Sequence, residues 1–137
     1  MTNIKTFNCK YCNATTSRSV WSAIKFMYCS NKCQKAFEHD DMVRRWTSGE
    51  LVGWSGKTRQ LKPFVRRHIH STRGSACASC GWDEKHPIDG RVLTEINHID
   101  GDAENCSIEN LEVLCPNCHA KTHNFRARNK NSKRKRS

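Results

Sequence analysis

The chain has 137 residues, of which only 36% are hydrophobic, so one large core is excluded and small modules held by staples are expected. Lys and Arg number 24 against 13 Asp and Glu, a formal net charge of +11, which favours a polyanionic partner such as nucleic acid or an anionic membrane surface. No run of roughly 18 apolar residues exists, so no membrane-spanning helix is expected.

The first 33 residues read as a cysteine knuckle. Cys9-x2-Cys12 is followed by Cys29-x3-Cys33, with Phe7 before the first pair and Tyr28 leading into the second. Ser19 to Lys25 has strand-like composition. Ser30 then caps a predicted helix to about Thr47, with Cys33, Ala36, Phe37, Val43 and Trp46 at helical spacing. Gly49, Gly53 and Gly56 break that pattern, so a linker is expected. A second amphipathic helix is predicted around Pro63 to Ser71, marked by Leu61, Phe64, Val65 and Ile69. From Met42 to Trp82 the only acidic residue is Glu50, against Arg44, Arg45, Lys57, Arg59, Lys62, Arg66, Arg67 and Arg73. Such a segment suits contact with phosphates, and a solvated basic face is the plainer alternative.

Cys77-x2-Cys80 opens the next module, with a turn at Gly81 and Trp82. Val92 to His98 predicts a strand, Asp100-Gly101-Asp102 begins a polar loop that ends at Asn110, and Leu111 to Leu114 predicts a second strand. Pro116 at a first helical position starts a helix expected to carry Cys118, His119, Thr122 and His123. After Glu112 no acidic residue remains, and the end of the chain is rich in Arg, Lys, Asn and Ser without apolar periodicity. Disorder in the free protein and polyanion binding are expected there. Lys133-Arg134-Lys135-Arg136 also fits a nuclear-localisation run, a weak signal by itself. The organisation predicted is a zinc knuckle with its helix (1–48), a basic linker with a helix (49–74), a strand–loop–strand–helix module (75–126) and a basic tail (127–137).

Eight of the nine cysteines fall into two quartets, Cys9, Cys12, Cys29, Cys33 and Cys77, Cys80, Cys115, Cys118. Disulfides and zinc are the two readings. Paired thiolates two or three residues apart sit on one turn, and two such turns complete a tetrahedral site, so two structural Zn²⁺ ions are expected. No apolar signal segment precedes them, so nothing marks an oxidising compartment and a cytoplasmic location is expected. Cys106 is left over as an unpaired loop thiol.

The segment Glu95-Ile96-Asn97-His98-Ile99-Asp100-Gly101-Asp102, with Asn110, His119 and His123, carries the chemistry. Hydrolysing a phosphodiester needs a base near neutrality to take a proton from water, which suits His98. It also needs a Lewis acid for the charge on phosphorus and the leaving oxygen. Zinc at the second quartet would lock the helix on the strands, so that His98 and His119 face each other. His119 and His123, four apart on a helix, would share a face.

These residues resemble the HNH endonuclease family and its ββα-metal fold. The resemblance is strongest in Asn97-His98-Ile99-Asp100-Gly101, Glu109-Asn110-Leu111 and Leu114-Cys115-Pro116-Asn117-Cys118-His119. It is weaker in Tyr28-Cys29-Ser30-Asn31-Lys32-Cys33-Gln34, Trp46 and Gly49, which look like small phage-type homing members with an N-terminal zinc knuckle. The resemblance implies a small α+β zinc-stapled protein that cuts double-stranded DNA in a phage-infected bacterial cell. It implies His98 as general base, Asn110 as a brace of the loop, and a catalytic cation held by Asn97 and His119, with His123 as a further ligand or phosphate contact. The family usually has Asp or His where Asn97 stands. A neutral amide beside two imidazoles shifts the expected cation from Mg²⁺ toward Mn²⁺, Ni²⁺ or Zn²⁺, and Asp100 is a candidate compensating carboxylate, although a turn-forming Asp-Gly is its simpler role.

DNA contacts are expected from Arg59, Lys62, Arg66, Arg67, Arg73, Lys121, Arg126 and Arg128. One such site treats one strand at a time, so a nicking monomer is expected, and no sustained heptad repeat marks a dimer. The competing readings are a non-catalytic zinc-dependent DNA-binding regulator and an HNH restriction or packaging nuclease. Only an enzyme accounts for the order of His98, Asn110 and His119.

Overall fold

A computed structural model describes residues 3–22 and 26–134. Part of the strand-like stretch, 23–25, and the tail residues Lys135 and Arg136 lie outside the described residues. The chain divides into two units, Met1–Arg44 and Arg45–Ser137. Among the described residues no helix is long and apolar enough to cross a membrane.

The first unit opens with an antiparallel hairpin, β1 (Ile4–Asn8) against β2 (Thr15–Ser19), in the register Ile4 to Ser19 through Asn8 to Thr15. The knuckle is its turn. Cys9 N–H donates to Ala14 O and Asn13 N–H donates to Cys9 O, both at 2.9 Å, with Asn13 in the left-handed conformation at φ 61°. Arg18 reaches from β2 to donate to Tyr28 O and Cys29 O, at 3.1 and 3.0 Å, and so ties the second cysteine pair to the hairpin. Helix α1 (Asn31–Thr47) follows, and Ser30 Oγ accepts from Cys33 N–H at 3.2 Å as the sequence predicts. Cys9 and Tyr28 are buried, and the Tyr28 ring lies 5.6 Å from that of Phe37 on α1.

The second unit begins at the end of α1 and is built around α2 (Pro63–Arg73), whose Pro occupies the first turn where no N–H is needed. Phe64, Val65 and Ile69 are its buried stripe. The Trp46 ring meets Phe64 edge-on at 6.0 Å and donates through Nε1 to Cys106 O at 3.0 Å. A short hairpin, β3 (Trp54–Ser55) with β4 (Gln60–Leu61), occupies the glycine-rich stretch. Gly53 is required there by close approach, because a Cβ would stand 2.6 Å from Cys106 Cβ.

The module that follows is strand, loop, strand, helix. β5 (Glu95–His98) pairs antiparallel with β6 (Leu111–Leu114), Asn97 opposite Glu112 and His98 opposite Leu111. The first strand is shorter than the composition predicts, since Val92 makes only an isolated bridge to Lys85. A 3-10 turn (Ile108–Asn110) leads into β6. Helix α3 spans Pro116–Ala120, with Cys115 as its cap accepting from Cys118 N–H through Sγ. The helix stops earlier than expected because both the N–H and the hydroxyl of Thr122 turn back to His119 O, at 3.1 and 2.8 Å.

Candidate functional site

The cysteine quartets assemble as their spacing predicts. In each, the four Sγ atoms lie within 4.8 Å of one another. Cys12 and Cys29 are 3.6 Å apart, Cys29 and Cys33 3.4 Å, and Cys80 and Cys115 3.7 Å. These separations are far beyond a disulfide bond of about 2.05 Å and approach the edge of a tetrahedron built on Zn–S bonds of about 2.3 Å, roughly 3.8 Å. The donor set therefore fits zinc. Burial raises the Cys77 thiol, but backbone hydrogen bonds at Cys115, Cys80 and Ser79 outweigh it and bring it to about 6. Cys77, Leu114 and Cys115 form a buried cluster with Trp82 and Cys118 packed on it, which joins the Cys77–Trp82 turn to β6 and α3.

With α3 fixed in this way, a cavity of about 360 Å³ opens beside β5, lined by Glu95, Asn97, His98, His119, Arg126 and Arg134 among others. His98, at the end of β5, is 7% exposed. Its Nε2 lies 3.6 Å from Cys106 Sγ, and that thiol donates to Ala103 O at 3.4 Å. Burial pushes the Cys106 thiol up to about 11, so the sulfur keeps its proton, and with that proton on Ala103 O its lone pairs are free to accept from a protonated Nε2 of His98. Among the described residues His98 Nδ1 has no hydrogen-bond partner. Burial, and then the positive charge of Arg134, lower the pKa of His98 from 6.5 against the pull of Asp100 and Asp102. These shifts favour the neutral ring, and Nδ1 is its unengaged nitrogen.

Asn110 stitches the loop below His98. Its Oδ1 accepts from Asp100 N–H at 3.0 Å, and its Nδ2 donates to Asp100 Oδ1 and Asn105 O at 2.9 and 2.8 Å. The Asp100 carboxylate also accepts from Asp102 N–H at 2.8 Å and from Asn105 Nδ2 at 2.7 Å. It is engaged in shaping its own loop and does not line the cavity, which leaves the turn-forming reading. Asn97 donates through Nδ2 to Glu112 Oε1 at 2.9 Å, which orients its amide. His119 packs edge-on against Phe125 at 5.1 Å, and its Nδ1 lies 2.6 Å from Glu95 Oε2.

Three placements differ from the expectations. His123 follows the end of α3 in an exposed turn and does not line the cavity, so it does not share a helix face with His119. Arg59, held at φ 52°, donates through Nε to Glu104 Oε1 at 2.9 Å and stacks on Trp54 at 4.7 Å. Arg73 donates to Leu111 O, and to Ile108 O at 2.7 Å. Both arginines brace the module, Arg59 from a half-buried position and Arg73 from an exposed one; Arg66, Arg67, Lys121, Arg126 and Arg128 are exposed as well, and Lys62 is partly so.

Composition also missed the residues after α3. Buried Asn124 donates to His98 O and Ile99 O, at 3.3 and 2.9 Å. Asn129 donates to Gly101 O and Asn131 to Asp100 O, at 2.8 and 2.9 Å. Lys133 pairs with Asp102 at 2.9 Å. The described part of the tail is a strap on the β5–β6 loop, and it brings Arg134 to the cavity.

Residues 77–125 match the family model described as HNH endonuclease. The chain is 44% identical over 46 residues to the H-N-H endonuclease F-TflIV of Escherichia phage T5, a match covering 34% of this chain and 19% of that protein. The chain thus spans about a fifth of the length of the curated relative it matches, 19%. No solved structure matches it.

Proposed function

Residues 77–125 belong to the HNH endonuclease family, and from that premise we propose that the protein is a metal-dependent DNA endonuclease with His98 as its general base. The observation that carries the proposal is a buried imidazole with Nδ1 unengaged, in the same cavity as His119, and burial favours its neutral form. Cys106 holds the proton on His98 Nε2, so that Nδ1 takes the proton of an attacking water. Asn110 keeps the strand end and loop in register while this happens. Asn97 and His119 are the residues that would hold a divalent cation, which would supply Lewis acidity for the charge that develops on the scissile phosphate. Arg126 and Arg134, both at the cavity, contact the phosphate.

Zinc at the two cysteine quartets holds the scaffold. The exposed cations Lys62, Arg66, Arg67, Lys121 and Arg128 carry the duplex. The protein acts on double-stranded DNA as a monomer that nicks one strand, in the manner of a phage homing endonuclease. An amide in place of a carboxylate at position 97 makes Mn²⁺ a better activator than Mg²⁺. The test is a supercoiled plasmid incubated with the zinc-loaded full chain. Relaxed circles with Mn²⁺, fewer with Mg²⁺ and none with EDTA are expected. A DNA-bound plasmid that stays supercoiled with every cation supports the non-catalytic regulator instead.

A further inference from the structure

A cation site with one neutral amide and one imidazole lacks charge, and Asp100 does not supply it. The carboxylate that lines the cavity is that of Glu95, two residues before Asn97 on β5 and therefore on the same face of the strand. Its Oε2 lies 2.6 Å from His119 Nδ1. Two atoms on adjacent corners of an octahedral cation with bonds of about 2.0–2.1 Å stand roughly 2.9 Å apart. A separation of 2.6 Å is instead that of a short hydrogen bond to a carboxylate.

An imidazole must be neutral to ligate a metal, and a neutral ring has one donor and one acceptor nitrogen. Donation of Nδ1–H to Glu95 assigns the proton to Nδ1 and leaves the lone pair on Nε2. Among the described residues His119 Nε2 has no hydrogen-bond partner. Phe125, edge-on to the ring at 5.1 Å, packs against it and restricts its rotation. We infer that Glu95 is a positioning residue for the cation site: its carboxylate fixes the His119 ring as the Nδ1–H tautomer and presents Nε2 as the ligand. A carboxylate behind a ligating histidine also raises its basicity, and removing such a partner costs about 10–100-fold in metal affinity.

This inference rests on the cation site proposed above, and the experiment separates the two. Mn²⁺ binding to the zinc-loaded full chain is measured by calorimetry for wild type, Glu95→Ala and Glu95→Gln. The protonated ring nitrogen of His119 is read from nitrogen NMR of the Mn²⁺-free protein. The proton is expected on Nδ1 in wild type. Glu95→Ala is expected to mix the tautomers and weaken Mn²⁺ binding by about 10–100-fold. Glu95→Gln, whose amide oxygen still accepts from Nδ1–H, is expected to stay within a few-fold of wild type. Wild-type binding in Glu95→Ala overturns the inference and leaves the cation site standing. Equal losses in both variants overturn it in favour of Glu95 as a direct ligand. A wild-type proton on Nε2 overturns it without any variant, and a wild type that binds no Mn²⁺ overturns both the inference and the cation site.

Discussion

The role proposed for His98 rests on what surrounds it rather than on its identity. Its main-chain oxygen is held by Asn124, its Nε2 by the Cys106 sulfur, and its pKa is lowered first by burial and then by Arg134. In the proposed mechanism the neutral form is the base, so the acid limb of cleavage is expected to have its midpoint below 6.5 at saturating Mn²⁺. Arg134→Ala removes a positive charge that opposes protonation, and the midpoint is expected to move to higher pH. The pH–rate profile of the two proteins checks this, and an unchanged midpoint contradicts it. The sign for stability follows from the same shift. As pH falls, the unfolded chain takes up this proton before the folded one, so stability is lost from about pH 6.5 downward to the folded value. The resemblance to the HNH endonucleases singled out His98 and Asn110, and the structure places Asn110 across the loop that follows His98. It could not assign Cys106, whose contact with His98 spans a loop, nor tell that Arg59 and Arg73 face a carboxylate and carbonyl oxygens.

The elements legible in the sequence were those with a local cause. Ser30 caps α1, Pro63 and Pro116 start α2 and α3, and apolar spacing marks the buried stripe of α2 and the strand β6. The hairpin β1–β2 was not legible because its residues are mostly exposed and lack the alternation that burial imposes. The end of α3 was hidden because the side chain of Thr122 decides it. The strap was hidden because asparagines bonding to carbonyl oxygens leave no apolar pattern. The second quartet joins the knuckle before β5 to the start of α3, so loss of its metal is expected to release α3 and the cavity together. Cys115→Ser is expected to halve the zinc content, from two ions to one, and to abolish the cooperative thermal transition of residues 45–137. Calorimetry beside zinc analysis checks this, and an unchanged transition with one zinc missing contradicts a structural role for that quartet.

Across the chain, a net charge of +11 and two cysteine quartets account equally well for a binding protein and for an enzyme. What separates them is a single imidazole, and single-turnover cleavage of nicking-competent plasmid at saturating Mn²⁺ tests it most directly. Wild type and His98→Ala are compared at equal zinc content and equal DNA affinity, so that folding and binding are held constant. General-base catalysis contributes typically about 10²–10⁴-fold, and the variant is expected to be slower by that factor. Cleavage by His98→Ala at the wild-type rate contradicts the assignment of the base and, with it, the mechanism built on this cavity.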